Sequence, residues 1–193
     1  MEVNNLMSTK TKKLSTVSMV LCGMFAALVA IGAFIQIPVP YMDYFTLQFF
    51  FVLLAGLILG ADKGAISVGC YVLLGLVGVP IFAAGGGIGY IFRPSFGYLV
   101  GFIVSAYVTG KVCEKLKASY KNYLLACLAG FVVTYAIGIV YKFIILNFYA
   151  HTPATLGVIF LSCFPLDMPG DFVLCLLAAG VGLRMRKSGF YLS

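Results

Sequence analysis

The sequence has little charge and few of the side chains that enzymes use for catalysis. Of its 193 residues, 10% are charged and 62% are hydrophobic; tryptophan is absent, and the only histidine is His151. Soluble domains carry about 25% charged residues, so this composition excludes an ordinary soluble fold. The mean hydropathy of +1.07 indicates an integral membrane protein.

Motifs for ATP binding, catalysis and metal binding are also missing. No G-x-x-x-x-G-K-[ST] loop is present to cradle phosphates, and no Ser/His/Asp, H-E-x-x-H or Cys/His pattern occurs. The six cysteines form no C-x-x-C pair, and most lie in apolar runs, where cysteine packs as a small hydrophobic residue. We therefore predict no catalytic residue, no metal site and no cofactor, and the chain is not expected to be an enzyme.

Six apolar segments predict an all-α integral membrane protein with six transmembrane helices. They cover residues 14–36, 45–60, 64–80, 94–112, 121–148 and 165–184. About 20 residues cross the bilayer core as a helix, so the short second and third segments are either full spans or one buried hairpin. The first segment is too long for the apolar core of a signal peptide and is expected to stay in place.

The expected organisation is a basic N-terminus over residues 1–13, a membrane domain over 14–187 and a tail over 188–193. With six spans, eleven cations fall on one side: Lys10, Lys12, Lys13, Lys63, Lys111, Lys115, Lys117, Lys121, Arg184, Arg186 and Lys187. Basic loops face the cytoplasm, which predicts a multi-pass protein of the cell membrane with both termini inside. Because the net charge of +7 comes from these loops, it does not indicate nucleic-acid binding.

Four charges fall on the opposite side in apolar surroundings: Arg93, Lys142, Asp167 and Asp171. Asp43 is the only other charge placed there. A charge near membrane depth is costly and usually faces a protein interior or a wet cavity. Two cations and two carboxylates therefore suggest a pocket for a small polar ligand.

Other polar residues are predicted at the same depth. The candidate ligand-binding side chains are Thr46, Gln48, Arg93, Tyr98, Tyr141, Lys142, Asn147 and Asp171. Asp171 follows Pro169-Gly170 and could instead cap a helix N-terminus. Lys142 could instead snorkel outward.

A glycine cluster precedes Arg93. It contains Gly85, Gly86, Gly87 and Gly89 and does not fit a dinucleotide-binding pattern. It is either a flexible loop or, at Gly86 and Gly87, a place where backbone approaches a ligand closely.

Small residues line one side of the first span: Gly23, Ala26, Ala27, Ala30 and Ala33. Such stripes let helices approach closely in lipid. The stripe serves either internal packing or docking of a second membrane protein, with Ala26 and Ala30 as the candidate docking pair.

An ordered set of short stretches resembles the BioY family, the biotin-specific S-components of energy-coupling-factor (ECF) transporters. The resemblance runs from about residue 14 to 187. Its stretches are Ile37-Pro38-Val39-Pro40, Phe45-Thr46-Leu47-Gln48, the run from Leu54 to Gly60, Gly64-Ala65-Ile66-Ser67, the run from Leu74 to Pro80, the glycine cluster, the run from Arg93 to Leu99 with Gly101-Phe102, and Pro169-Gly170-Asp171.

The resemblance implies a six-helix S-component bundle that captures biotin from outside. Its implied partners are biotin, a transmembrane coupling protein and two cytoplasmic ATPases, besides membrane lipid. The alanines that contact the coupling protein in this family map onto Ala26 and Ala30, and Asp171 maps onto a ureido ligand. Many relatives carry a lysine three residues later, where this chain has Leu174; Lys142 is the candidate replacement.

The pocket residues suit the chemistry of biotin. The ureido ring offers two N–H donors and a carbonyl, which match a carboxylate and a cation or amide. The apolar bicycle matches aromatic walls, and the valerate carboxylate matches Arg93 through a charge-assisted bond. Two alternatives stay open: the same fold binding dethiobiotin or lipoate, and a membrane scaffold subunit whose buried charges form structural ion pairs.

Overall fold

A computed structural model of the chain describes residues 15–37, 45–150, 152, 154–163 and 167–189. Asp43, His151, the proline segment 38–40 and the N-terminus 1–13 lie outside the described residues, as does most of the tail 188–193.

The described residues form seven α-helices. They are α1 (Thr16–Phe34), α2 (Gln48–Leu59), α3 (Ala61–Val77), α4 (Phe96–Lys115), α5 (Tyr120–Ile144), α6 (Leu156–Cys163) and α7 (Asp167–Lys187). A 3₁₀ turn, Ile88–Phe92, precedes α4, and a π-helical turn, Ile145–Tyr149, follows α5. Two short antiparallel strands, β1 (Gln36–Ile37) and β2 (Phe45–Thr46), join α1 to α2, with Gln36 opposite Thr46.

The count of six transmembrane helices is not confirmed. Four helical stretches of the described chain are long and apolar enough to cross a membrane: Thr16–Phe34, Phe96–Lys115, Tyr120–Tyr149 and Asp167–Lys187. Helices α2 and α3 have 12 and 17 residues. Helix α6 is not predicted from the sequence, and its eight residues are too few for a span.

Helix α2 lies at the centre of the bundle. It packs against α1, α3, α4 and α7, and ten of its twelve residues are buried. A helix is shielded from lipid on every side only when other helices surround it. Gly60, at φ +81°, ends α2 and starts α3, a backbone conformation that favours glycine. The two helices therefore form a tight hairpin, in which α2 is buried and α3 is only partly buried.

Glycines allow the helix backbones to approach closely around α4. A Cβ atom at Gly110 would overlap the backbone of Gly60 and Ala61, and one at Gly130 would overlap the hydroxyls of Ser105 and Thr109. Close backbone approach is how small residues stabilise helix pairs in membranes. These glycines therefore fix the positions of α4 and α5 against the central hairpin.

We expect Gly110→Ala to destabilise the protein by about 1–3 kcal/mol, the usual cost of overpacking. The methyl group would meet backbone atoms that cannot rotate away. Gly69→Ala on α3 is the matched control, because a Cβ there meets nothing within 4 Å and alanine favours helix. Thermal unfolding in detergent measures both variants. Equal melting temperatures for Gly110→Ala and the parent would contradict the close packing described here.

The two ends of the bundle differ in character. The pocket end holds loop 78–87, the 3₁₀ turn, the first turns of α4 and α7, and the last turns of α5. The opposite end holds the α2–α3 turn, loop 116–119 and the last turn of α7. Ion pairing and capping stabilise the opposite end: Glu114 accepts a hydrogen bond from the Ala61 N–H at 2.8 Å and lies 3.6 Å from Lys111.

Candidate ligand-binding site

A cavity of about 820 Å³, including its open mouth, lies at the pocket end. Small-molecule pockets commonly occupy about 300–1,000 Å³. Side chains from β2, α2, loop 78–87, the 3₁₀ turn, α4, α5 and α7 converge on it. The lining residues are Phe45, Thr46, Gln48, Phe49, Ala83, Ala84, Tyr90, Arg93, Ser95, Tyr98, Leu99, Phe102, Tyr135, Lys142, Asp167 and Asp171.

The four charges picked out in the sequence surround this one cavity. Asp167 and Asp171 are one turn apart on α7, Lys142 lies on the last turn of α5, and Arg93 ends the 3₁₀ turn. These four charges, which the sequence predicts to face a common space, all line the cavity. Since α7 begins at Asp167, the first-turn acid is Asp167, and the capping alternative for Asp171 is wrong.

Tyr135 holds Asp171 in a defined orientation. The Tyr135 hydroxyl donates a hydrogen bond of 2.8 Å to Oδ2 of Asp171. Both side chains line the cavity. One carboxylate oxygen is thereby bound to the protein, and a carboxylate has acceptor sites on both of its oxygens. Asp171 can therefore accept a further hydrogen bond from a ligand.

Gln48 supplies the neutral polar group of the site. It is the first residue of α2 and is buried, with 3% of its surface exposed. Its Nε2 donates to the Tyr71 hydroxyl at 2.6 Å, and its Oε1 accepts from the Thr46 hydroxyl at 3.3 Å. A buried amide needs such partners because an unpaired polar group is costly. The strand β2 and helix α2 thus bring Thr46 and Gln48 to the cavity together.

Aromatic rings form much of the remaining wall. Tyr98 packs edge-to-face against Tyr135, and Phe49 stacks on Phe102, with ring centroids 5.9 Å apart in both pairs. The Arg93 guanidinium lies 5.3 Å from the ring centroid of Tyr90. This distance suits a cation–π contact. Arg93 also lines the cavity, so its guanidinium adds a positive charge to the aromatic wall.

Two predicted ligand side chains lie outside the cavity lining. The Tyr141 hydroxyl donates to the carbonyl of Ile91 and so stabilises the 3₁₀ turn. Asn147 lies in the π-helical turn; its amide donates to the carbonyls of Phe143 and Ala154 and accepts from the Ala154 N–H. Both polar groups bond to the protein backbone, so the cavity described here does not include them.

Gly86 and Gly87 also lie outside the lining. A Cβ at Gly86 would overlap the carbonyl of Val79, while Gly87 has φ +101° and donates its N–H to the Gly75 carbonyl at 2.7 Å. These glycines are needed because loop 78–87 folds back on the end of α3. The loop residues that line the cavity are Ala83 and Ala84.

The small-residue stripe of α1 faces two ways. Ala26 is 7% exposed and belongs to the hydrophobic core, and Ala33 is fully buried. Ala30 is half-buried, whereas Gly23 and Ala27 are exposed. Ala26 is therefore a packing residue, which corrects its assignment to a docking face.

The sequence predicts only part of the residues that line the cavity. Tyr135, Tyr90, Phe49 and Phe102 were not predicted as site residues. Tyr135 alone gave a usable signal: it lies seven residues before Lys142, which places the two side chains on one helical face. In the sequence, the other three cannot be distinguished from aromatic residues that only pack in an apolar core.

Fold and site together define a helical membrane protein whose described residues enclose a polar cavity, walled by aromatic rings and four charges. The BioY family matches residues 7–189. The "Probable biotin transporter BioY" of Lysinibacillus sphaericus is 40% identical over 91% of this chain and 90% of its own length. The "Biotin transporter BioY" of Thermotoga maritima is 39% identical over 86% of this chain and 93% of its own. The chain belongs to the BioY family.

A solved structure has the same fold. It is described as the S-component for biotin from an ECF-type ABC transporter, and it matches with a TM-score of 0.80 and 25% identity over 91% of this chain and 93% of its own. Because these relatives are transporters and a transporter component, they confirm that the chain is not an enzyme, and they disfavour the scaffold alternative.

Proposed function

We propose that this protein captures biotin in the cavity at the pocket end and delivers it through an ECF-type ATP-driven importer. The observation that carries the proposal is the convergence of Arg93, Lys142 and Asp171 on one aromatic-walled cavity in a member of the BioY family. Biotin has one carboxylate, one ureido group and one apolar bicycle. The cavity offers a matching group for each.

The valerate carboxylate of biotin binds Arg93 in this proposal. A guanidinium suits a carboxylate because it can donate two parallel hydrogen bonds. The position of Arg93 beside Tyr90 leaves the guanidinium edge for the ligand. The aromatic rings of Tyr98, Phe49 and Phe102 then cover the bicycle.

The ureido ring binds between α2, α5 and α7. Asp171 and the Oε1 atom of Gln48 each accept one ureido N–H, and Lys142 donates to the ureido carbonyl. Leu174 is buried with 5% of its surface exposed, so the position where relatives carry a lysine packs here. The presence of Lys142 in the lining supports its role as the replacement.

Arg93→Gln is expected to weaken biotin binding at least tenfold while leaving the affinity for biotinamide nearly unchanged. Biotinamide keeps one carbonyl acceptor but lacks the negative charge and the second oxygen that pair with the guanidinium. A tenfold change is about 1.4 kcal/mol, near the lower end of the range for a charge-assisted hydrogen bond. Competition against radiolabelled biotin measures both ligands. Lys111→Gln, an exposed cation at the opposite end, is the control. Equal losses of affinity for biotin and biotinamide would show that Arg93 does not bind the carboxylate.

The membrane orientation follows from the charges. Lys63, loop 116–119 with its basic flanks, and the basic end of α7 all lie at the opposite end. The positive-inside rule supports a cytoplasmic location for that end, and the cavity then opens on the outer side in this proposal. We propose six crossings, formed by α1 to α5 and α7, with both termini in the cytoplasm and α6 at the outer surface.

Transport needs partners because the sequence has no phosphate-binding loop of its own. The partners proposed are a transmembrane coupling protein and two cytoplasmic ATPases. The surface of α1 supports the proposal that the coupling protein docks there. On this helix Gly23 and Ala27 are exposed and Ala30 is half-buried. Small exposed side chains allow a second helix to approach closely.

A competition experiment tests which ligand the cavity binds. Biotin, dethiobiotin and lipoate are titrated against radiolabelled biotin bound to the purified protein. Lipoate has a carboxylate but no ureido group, so the Asp171 oxygen that Tyr135 does not bind would receive no N–H from the ligand, at an energetic cost. The proposal expects biotin to compete best and lipoate not at all. A preference for lipoate would assign the cavity to another carboxylate.

A further inference from the structure

Tyr71 connects the ligand cavity to loop 78–87, although it does not line the cavity. It lies on α3 and none of its surface is exposed. Its hydroxyl contacts Gln48 Nε2 at 2.6 Å and the Ile81 carbonyl at 3.1 Å. A fully buried hydroxyl with two partners is a defined structural element, because each bond satisfies a group that would otherwise be costly to bury.

The directions of these two hydrogen bonds are fixed by chemistry. A hydroxyl has one proton, and a backbone carbonyl only accepts. The Tyr71 proton therefore goes to Ile81, and the Tyr71 oxygen must accept from Gln48. Only the nitrogen of the Gln48 amide can donate, so the Nε2 atom must face Tyr71.

The opposite atom of the Gln48 amide is thereby also placed. Oε1 accepts from the hydroxyl of Thr46, and both Thr46 and Gln48 line the cavity. A carbonyl oxygen accepts two hydrogen bonds, so one acceptor position remains for a ligand. If the amide turned over, Gln48 would present donors to the cavity and the Tyr71 hydroxyl would lose either Gln48 or Ile81.

The same tyrosine holds the loop that covers this side of the cavity. Phe82, which is 1% exposed, packs edge-to-face on the Tyr71 ring with centroids 5.5 Å apart. Phe82 and Gly85 exchange backbone hydrogen bonds, which places Ala83 and Ala84 at the cavity wall. Tyr71 thus contacts the recognition side chain and the loop at once.

We infer that Tyr71 is a positioning residue that fixes the Gln48 amide with its carbonyl oxygen available to the ligand, so that the cavity selects ligands with an N–H donor. The inference rests on the proposed function, since biotin supplies that donor through its ureido ring. It adds a residue in the interior of α3 to the determinants of specificity.

The test is a double-mutant cycle on Tyr71→Phe and Gln48→Ala. Tyr71→Phe keeps the ring and its packing on Phe82 but removes the hydroxyl. Biotin and dethiobiotin, which share the ureido group, are expected to bind about tenfold more weakly to Tyr71→Phe. In the Gln48→Ala background, Tyr71→Phe is expected to change the affinity by less than about twofold.

Tyr123→Phe is the matched control for loss of a buried hydroxyl. Tyr123 is 1% exposed and its hydroxyl accepts from Arg186 Nη1 at 3.1 Å, at the opposite end of the bundle. It is expected to lower the melting temperature without changing biotin affinity. If both tyrosine variants lose the same affinity, the effect is general destabilisation and the inference is wrong.

A measurement on the unsubstituted protein covers the case in which Tyr71→Phe does not fold. The chain has two glutamines, Gln36 and Gln48, and Gln36 is exposed. Side-chain ¹⁵N labelling of glutamine therefore gives two amide pairs, one of them an internal reference. Slow hydrogen exchange at Gln48 relative to Gln36 supports the fixed amide, and equal exchange contradicts it.

The outcomes separate the inference from the proposed function. If the unsubstituted protein does not bind biotin, the proposed function fails. If it binds biotin and Tyr71→Phe binds equally well, or if the two single losses simply add in the cycle, only the inference about Tyr71 fails.

Discussion

Replacing Asp171 with asparagine is expected to weaken biotin binding by at least tenfold, and by about 1.4 kcal/mol or more. Asparagine keeps the shape of the side chain and can still accept from Tyr135, whose bond of 2.8 Å holds one oxygen. The second position of the group then becomes an amide NH₂, which opposes a ureido N–H instead of accepting it. Isothermal titration in detergent measures the loss.

Asp62→Asn is the matched control for this substitution. Asp62 is an exposed carboxylate in the first turn of α3 at the opposite end of the bundle. The same chemical change there should leave biotin affinity unchanged. If Asp171→Asn folds and binds like the unsubstituted protein, Asp171 has a structural role only.

Replacing Ala27 with leucine on α1 is expected to spare biotin binding but to reduce uptake to the level seen without the ATPases. Ala27 is exposed and does not line the cavity, so the ligand site should be unaffected. A leucine there would push the helix of the coupling protein away and remove the close packing on which docking depends. Ala30→Leu, one turn later in the stripe, should also reduce uptake, with some added loss of stability because Ala30 packs partly against the core.

Ala26→Leu separates docking from internal packing. Because Ala26 lies in the core, a leucine there should lower the melting temperature, by the overpacking cost of about 1–3 kcal/mol. Each variant is co-expressed with the coupling protein and ATPases, and complex recovery, biotin binding and vesicle uptake are measured on the same preparation. Normal recovery and uptake in Ala27→Leu and Ala30→Leu would place the docking face elsewhere.

The charges of the site could be predicted from the sequence, and most of its aromatic wall could not. A charge in an apolar run is conspicuous because burial is costly, so Arg93, Lys142, Asp167 and Asp171 were all found. An aromatic residue in such a run carries no comparable signal. Tyr71 and Phe102 both lie in apolar runs with no feature that predicts their roles. Tyr71 bonds to Gln48, whereas Phe102 lines the cavity.

The failed assignments share a physical cause: the local backbone decides what a polar or small residue does. Asn147 satisfies carbonyls around a π-helical turn, and π turns have no sequence signature of their own. Ala26 and Ala27 are adjacent in sequence but about 100° apart around a helix. Because lipid and protein core are both apolar, hydropathy cannot tell which of the two alanines faces inward.

Helix lengths, too, could not be predicted from hydropathy alone. The segment 45–60 was long enough to be read as a short span, yet α2 covers twelve residues, which is about 18 Å. It can be short because other helices surround it rather than lipid. Helix α6 was missed because eight apolar residues after a loop give too short a pattern to assign.

Titration calorimetry of the purified, unsubstituted protein with biotin tests the central claim most directly. The prediction is saturable binding at one site with nanomolar affinity, or about 12 kcal/mol, and a negative heat-capacity change from burial of the bicycle. Such affinity for a small ligand requires that each ureido group and the carboxylate find a partner in the cavity. The absence of saturable binding at micromolar biotin, in protein that melts cooperatively, would contradict the claim.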